Sequence, residues 1–144
     1  MPRGTLTDEE RYVINDHIVQ TIVMLSRLPF PAHLRQVPEV AGGHHERMDG
    51  RGYPKGLRGA DMSALARMMA IADVYEALTA ADRPYKPGKK VSEALAIMRR
   101  MADEGHIDPD LFALFVDAGV YLRYAERFLD HGQIDTAPVR RAAA

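Results

Sequence analysis

Ser63-Ala64-Leu65-Ala66-Arg67-Met68-Met69-Ala70-Ile71-Ala72-Asp73-Val74-Tyr75-Glu76-Ala77-Leu78-Thr79-Ala80-Ala81 is the stretch on which the fold turns. It reads as a helix that starts after Ser63 and runs to about Ala81, with an inward stripe of Ala66, Met69, Ala70, Asp73 and Ala77. Asp73 is then an acid on an apolar face, where an unpaired carboxylate is costly.

The same period extends in both directions. Upstream, Thr7-Asp8-Glu9-Glu10 is a capping box in which Thr7 caps and Glu10 reaches back. Ile14, Ile18, Thr21, Ile22, Leu25 and Leu28 follow at helical spacing, predicting a helix from about Asp8 to Leu28 that stops before Pro29. His17 lies beside Ile14, Ile18 and Thr21 and is expected to point inward. A second helix is expected from about Pro31 to Glu46, with Pro31 in its first turn and Pro38 as a kink or interruption. Met48 to Gly59 holds four glycines and one proline in twelve residues, which rules out a regular element and predicts a structured loop.

Downstream, the Asp82–Lys90 loop carries two prolines, one arginine and three lysines. A fourth helix begins at Ser92, buries Leu95, Met98 and Met101 and ends near Gly105. Asp108-Pro109 opens a fifth with a cap and a first-turn proline, and a last helix covers about Val120 to Leu129. No segment sustains a two-residue alternation. The expected fold is all-α, a bundle of about five to six helices, followed by a flexible tail over residues 132–144.

The chain of 144 residues suits one domain with a sizeable helical core. A formal net charge of −1 supplies no global basic field for a nucleic-acid polymer. The absence of cysteine excludes disulfides, thiolate metal sites and a cysteine nucleophile. No apolar run approaches the roughly 20 residues that cross a bilayer, and the start lacks a signal-peptide core. A cytoplasmic location is expected, with anchoring of a longer parent left open.

His44-His45 is the sharpest local signal. Neighbouring side chains on a helix diverge by about 100°, so two adjacent imidazoles suit two ions side by side, or one ion and one substrate oxygen. Imidazole and carboxylate together suit iron, manganese or zinc. His17, then His44 and His45, then Asp73 would offer ligands from three helices to one interior point, where a cation pair could stabilise both oxygens of a phosphodiester displacement. A lone inward histidine is more often a hydrogen-bonded core residue, and His17 alone would be read that way; jointly the four favour a metal centre. His33, His106 and His131 are read as surface or capping residues. Arg83 and Lys86 follow the Asp73 helix and can grip phosphate, although a solvated basic loop is common. Arg67, Arg99 and Arg100 are read as solvated charges. Tyr53 in the glycine-rich loop offers a ring for stacking and a hydroxyl.

The run His44-His45-Glu46-Arg47-Met48-Asp49-Gly50-Arg51-Gly52-Tyr53-Pro54-Lys55-Gly56-Leu57 resembles the signature of HD-GYP domains. Ala66 to Thr79 and Asp82-Arg83-Pro84-Tyr85-Lys86 resemble the family segments that follow it. The resemblance spans about Gly4 to Leu129. It implies an all-helical fold with a two- or three-metal centre, often iron or manganese, that hydrolyses cyclic di-GMP to pGpG or GMP. By position His17, His44, His45 and Asp73 correspond to metal ligands, and Tyr53, Arg83 and Lys86 to substrate-binding residues. The Gly52-Tyr53-Pro54 motif loop is a proposed contact for diguanylate cyclase domains.

One departure is large. The family's His-Asp dyad and the lysine that assists it are missing from this sequence, which has no His-Asp dipeptide. No catalytic residue is therefore identified here, and little or no turnover is expected of this chain alone. The rival reading is an inactive module that presents the Gly-Tyr-Pro loop to a partner or binds cyclic di-GMP. A third is a self-associating homodimer formed through apolar surface left exposed.

Overall fold

The computed structural model describes residues 8–80 and 88–136, with the side chains of the first helix described from Asp16 onward. Six α-helices occupy the described residues: α1 (Asp8–Ser26), α2 (Val37–Gly43), α3 (Ala64–Thr79), α4 (Val91–Asp103), α5 (Pro109–Asp117) and α6 (Val120–Phe128). Asp49 and Arg58 form an isolated antiparallel bridge, and no strand is found among the described residues. The all-α expectation is met.

The caps explain several boundaries. The Ser63 hydroxyl accepts from the Ala66 N–H and starts α3. Asp108 accepts from the Asp110 and Leu111 N–H groups, and Pro109 sets the first turn of α5. The second predicted helix is corrected. A single 3-10 turn at Ala32–Leu34 precedes a shorter α2, whose first turn holds Pro38. There its missing N–H is no loss, so Pro38 begins the helix and does not kink it. His44 is the C-cap of α2, and His45 lies beyond it. The Thr7–Glu10 capping box and the Ile14 side chain lie outside the described residues.

Packing follows chain order, each helix against the next, with α3 also touching α5. The main core forms between α3, α4, α5 and α6, where Tyr75, Val91, Ala94, Met98, Phe112 and Tyr121 are buried. Filling this space removes large apolar side chains from water, at roughly 1.5–3 kcal/mol for each one fully buried. The Tyr75 hydroxyl donates to the Tyr121 carbonyl, and burial pushes its pKa up to about 12, so it remains a donor at any physiological pH.

The stripe read on α3 needs correction. Ala66 and Ala70 are buried, but Met69 is 45% exposed and Ala77 is exposed. Ile71, Tyr75 and Thr79 are buried instead, because the main core approaches α3 from a second side. Arg67 is likewise no solvated charge: its guanidinium pairs with buried Asp108 at 2.6 Å. Arg99 lies over the Phe112 ring. Residues 132–136, which open the tail expected above, make hydrogen bonds to earlier elements. Gln133 donates to the Thr79 and Lys89 carbonyls, and Asp135 accepts from Ser92. Residues 137–144 lie outside the description. No helix among the described residues is long and apolar enough to cross a membrane.

Asp108 both caps α5 and neutralises Arg67, so its two roles are separable. Asp108→Ala should cost about 2–4 kcal/mol in urea unfolding, because the cap is lost and a partly buried cation loses its partner. Asp108→Asn, which preserves a capping oxygen, should cost clearly less. Equal losses would remove the cap from this account.

Candidate functional site

The end of α2, the middle of α1 and the glycine-rich loop meet at a cluster of rings. His17 of α1 faces His45 edge-on with centroids 5.5 Å apart. His44 and His45 are 4.2 Å apart, and the Tyr53 ring stacks on His45 at 4.9 Å. His17 is nevertheless exposed, not inward as its helical neighbours imply: it borders the cluster from the solvent side. Helical divergence also fails to separate His44 from His45, since the helix ends at His44.

The two adjacent imidazoles each have one nitrogen committed inside the protein. His44 Nδ1 lies 2.7 Å from the Ala41 carbonyl, a bond in which the ring must donate. His45 Nδ1 lies 3.1 Å from the Tyr53 hydroxyl. For His44, whose Nδ1–H is held by a carbonyl, the Nε2 lone pair is free for an external ligand; at His45 the Tyr53 hydroxyl can accept from Nδ1–H or donate to Nδ1. Burial pushes the His45 pKa below the usual imidazole value, and neighbouring His44 pushes the same way. The Asp73 carboxylate opposes them, and His17 adds a further downward push. Burial, then Asp73, raises the Tyr53 hydroxyl. Asp73, half-buried on α3, therefore acts electrostatically on both His45 and Tyr53.

Imidazoles and a carboxylate are donors of the kind that first-row divalent cations take. Among the described residues no group of three or more His, Asp or Glu closes on one point, so the donor chemistry fits a cation while the cage is incomplete. Arg83 and Lys86 lie outside the described residues.

The loop is built from residues that the pattern of spacings does not single out. Glu46 is 2% exposed and is the hub: its two carboxylate oxygens accept the Lys55 and Leu57 N–H groups at 2.7 and 2.8 Å. Gly52 passes so close to Glu46 that a Cβ there would strike the Glu46 Cα and the Arg47 nitrogen. Tyr53 N–H donates to the His45 carbonyl. The sequence signal available for Glu46 was a carboxylate placed just ahead of a glycine-rich loop whose N–H groups need acceptors.

The stem of the loop is tied to the turn between α4 and α5. Met48 N–H donates to the His106 carbonyl and Asp49 N–H to the Gly105 carbonyl. Asp49 also accepts from the Arg51 N–H and pairs with Arg47. His106, expected at the surface, is half-buried here. His33 and His131 are exposed, as expected.

Residues 1–111 match the family model described as HD domain. The chain is 46% identical over 120 residues to a cyclic di-GMP phosphodiesterase of Pseudomonas aeruginosa, covering 82% of this chain and 28% of that protein. It is 35% identical over 133 residues to a probable cyclic di-GMP phosphodiesterase of Vibrio cholerae, covering 88% and 30%. Over 80 residues it is 48% identical to 3'3'-cGAMP-specific phosphodiesterase 1 of Vibrio cholerae, covering 56% and 18%. The described residues form an all-helical domain, and the sequence is similar to those of cyclic-dinucleotide phosphodiesterases. The chain belongs to the HD-domain family, and these relatives bear out its resemblance to HD-GYP domains. It spans less than a third of the length of each of these three relatives.

Burial pushes the His106 pKa below the ordinary value, Arg47 adds to this, and Asp49 and Glu104 oppose it. The folded state therefore holds this proton less well than the unfolded state. Stability should be full above about pH 6.5 and fall as pH drops from there to the depressed folded-state value. His106→Gln should flatten that part of a urea-midpoint-against-pH profile; an unchanged slope would show that His106 does not contribute to it.

Proposed function

We propose that this chain forms part of a metal-dependent phosphodiesterase domain that, in the intact protein, hydrolyses cyclic di-GMP to pGpG or GMP. The observation that carries the reading is the convergence of His17, His44 and His45, with Tyr53 stacked on His45 and Asp73 acting on both. His17, His44, His45 and Asp73 would hold the cation, whose donor set suits iron, manganese or zinc and which the family resemblance narrows to iron or manganese. A bound divalent cation supplies charge stabilisation to the attacking and leaving oxygens of a phosphodiester.

The chain's own residues do the rest. The bond from His44 to the Ala41 carbonyl fixes that ring's tautomer and direction. Tyr53 orients His45 through its hydroxyl, and its ring supplies a flat face beside the cluster for a guanine base. Arg83 and Lys86 would bind phosphate. The depressed pKa of His45 keeps it neutral near pH 7, the form able to donate a lone pair.

A second reading is favoured by one observation, the lack of a closed group of three ligands among the described residues. Under it the chain binds cyclic di-GMP, or presents Gly52-Tyr53-Pro54 to a partner such as a diguanylate cyclase domain, without chemistry. Arg51, Lys55 and Arg58 are exposed on that loop and make no ion pair among the described residues, which suits an anionic partner.

Calorimetry with cyclic di-GMP, with and without Mn²⁺, combined with chromatography for pGpG, tests both readings. The expected result is weak, cation-dependent binding and slow or no product formation, with the cation dependence lost in a His44→Ala, His45→Ala, Asp73→Ala variant. Product formed by that variant as fast as by a wild-type chain that does turn over would sink the metal reading. Cation-independent nucleotide binding without product would establish the binding module instead.

A further inference from the structure

We propose that Glu46 is a positioning residue for the imidazole cluster, setting the orientation of His45 through the loop that carries Tyr53. The inference rests on the functional reading above only for its consequence, not for its geometry.

Glu46 is an ionisable side chain buried to 2% exposure, and none of the ion pairs among the described residues includes it. Such a group is costly unless its oxygens are satisfied. Both are, by main-chain N–H groups nine and eleven residues further along. Charge-assisted bonds of this kind are roughly twice as strong as neutral ones, so the carboxylate draws Lys55 and Leu57 inward. The two anchored residues bracket Gly56 and follow directly on Tyr53-Pro54. On the other side, the Gly52 backbone lies against the Glu46 and Arg47 backbone, and Tyr53 N–H reaches the His45 carbonyl. The segment is thus fastened at both ends to residues 45 and 46. What lies between is Tyr53, whose hydroxyl meets His45 Nδ1 and whose ring stacks at an interplanar angle of 16°.

Glu46 is not itself placed to hold a ligand, because its oxygens already serve the loop amides. Its effect on the site passes through Tyr53. Removing the carboxylate leaves two inward-facing N–H groups without acceptors and releases the loop. The hydroxyl then leaves His45 Nδ1, and the ring loses the contact that selects its tautomer and direction.

Long-range proton–nitrogen NMR on the 144-residue chain reads the His45 tautomer directly. Tyr53→Phe supplies the spectrum of a His45 ring without its hydroxyl partner. Glu46→Ala should reproduce that spectrum at His45, while far-UV circular dichroism and the Met98 methyl signal of the main core stay in place. Glu46→Asp should restore part of the wild-type signal. Should Glu46→Ala fail to fold, Glu46→Gln serves: it preserves one acceptor oxygen, so one of the Lys55 and Leu57 amides should lose protection from exchange and His45 should shift part-way. A His45 spectrum unmoved while those amides lose protection would overturn the proposal. Mn²⁺ affinity, measured on the same samples, should fall about 10–100-fold in Glu46→Ala and in Tyr53→Phe. Absence of Mn²⁺ binding by the wild-type chain would sink the metal reading and leave the His45 result to decide on Glu46.

Discussion

The contact between Gly42 of α2 and Ile22 of α1 sets how closely the first two helices approach. A Cβ on residue 42 would lie 2.6 Å from the Ile22 Cγ1, well inside van der Waals contact, so a side chain there would have to displace Ile22. Two residues later α2 ends, with His44 as its cap and His45 just past it. This close approach of α2 to α1 accompanies the meeting of His17 on α1 with His45. From the other side α3 presents Ala66 and Ala70, small residues that permit similar closeness, and its next turn brings Asp73. The same helix turns Ile71 and Tyr75 into the main core. It joins a small layer that holds the rings to a larger one that supplies most of the buried apolar surface.

The orientation of the rings follows from ordinary needs of the main chain. Ala41 lies in the last turn of α2, where carbonyls have no partner within the helix. His44 satisfies one of them, and in doing so its Nδ1 is taken. Glu46 answers the equivalent need for donors, accepting two loop N–H groups that no strand or helix serves. Residues 44 and 46 thus each settle a backbone requirement, one as donor and one as acceptor. Residue 45 between them is oriented by a side chain, Tyr53.

Much of this was legible in the sequence, for local reasons. Helical period, caps and proline placement act over a few residues, and they located α1, α3, α4, α5 and α6 to within a few positions. Pro38 misled, because a proline fits a first turn as readily as it breaks an interior, and only the 3-10 turn before it decides which. Met69 and Ala77 were misplaced because α3 is packed from two directions, which a single stripe does not describe. Arg67 and Asp108 stand 41 residues apart, beyond any spacing rule. Glu46 escaped notice because its partners are main-chain groups, which carry no residue identity. The nearness of the His17, His44 and His45 rings was legible because helical period put His17 and the His44-His45 pair on neighbouring elements. The exposure of His17 was not, since it depends on what lies beyond the helix.

The chain-ordered packing of the helices has a kinetic meaning. With α1 on α2, α2 on α3 and so on to α6, most partners are close in sequence, and little loop entropy is lost before a contact repays it. Helical domains of low contact order reach the native state in microseconds to milliseconds. The rings of the cluster all come from α1, α2 and the following loop, within the first half of the polypeptide.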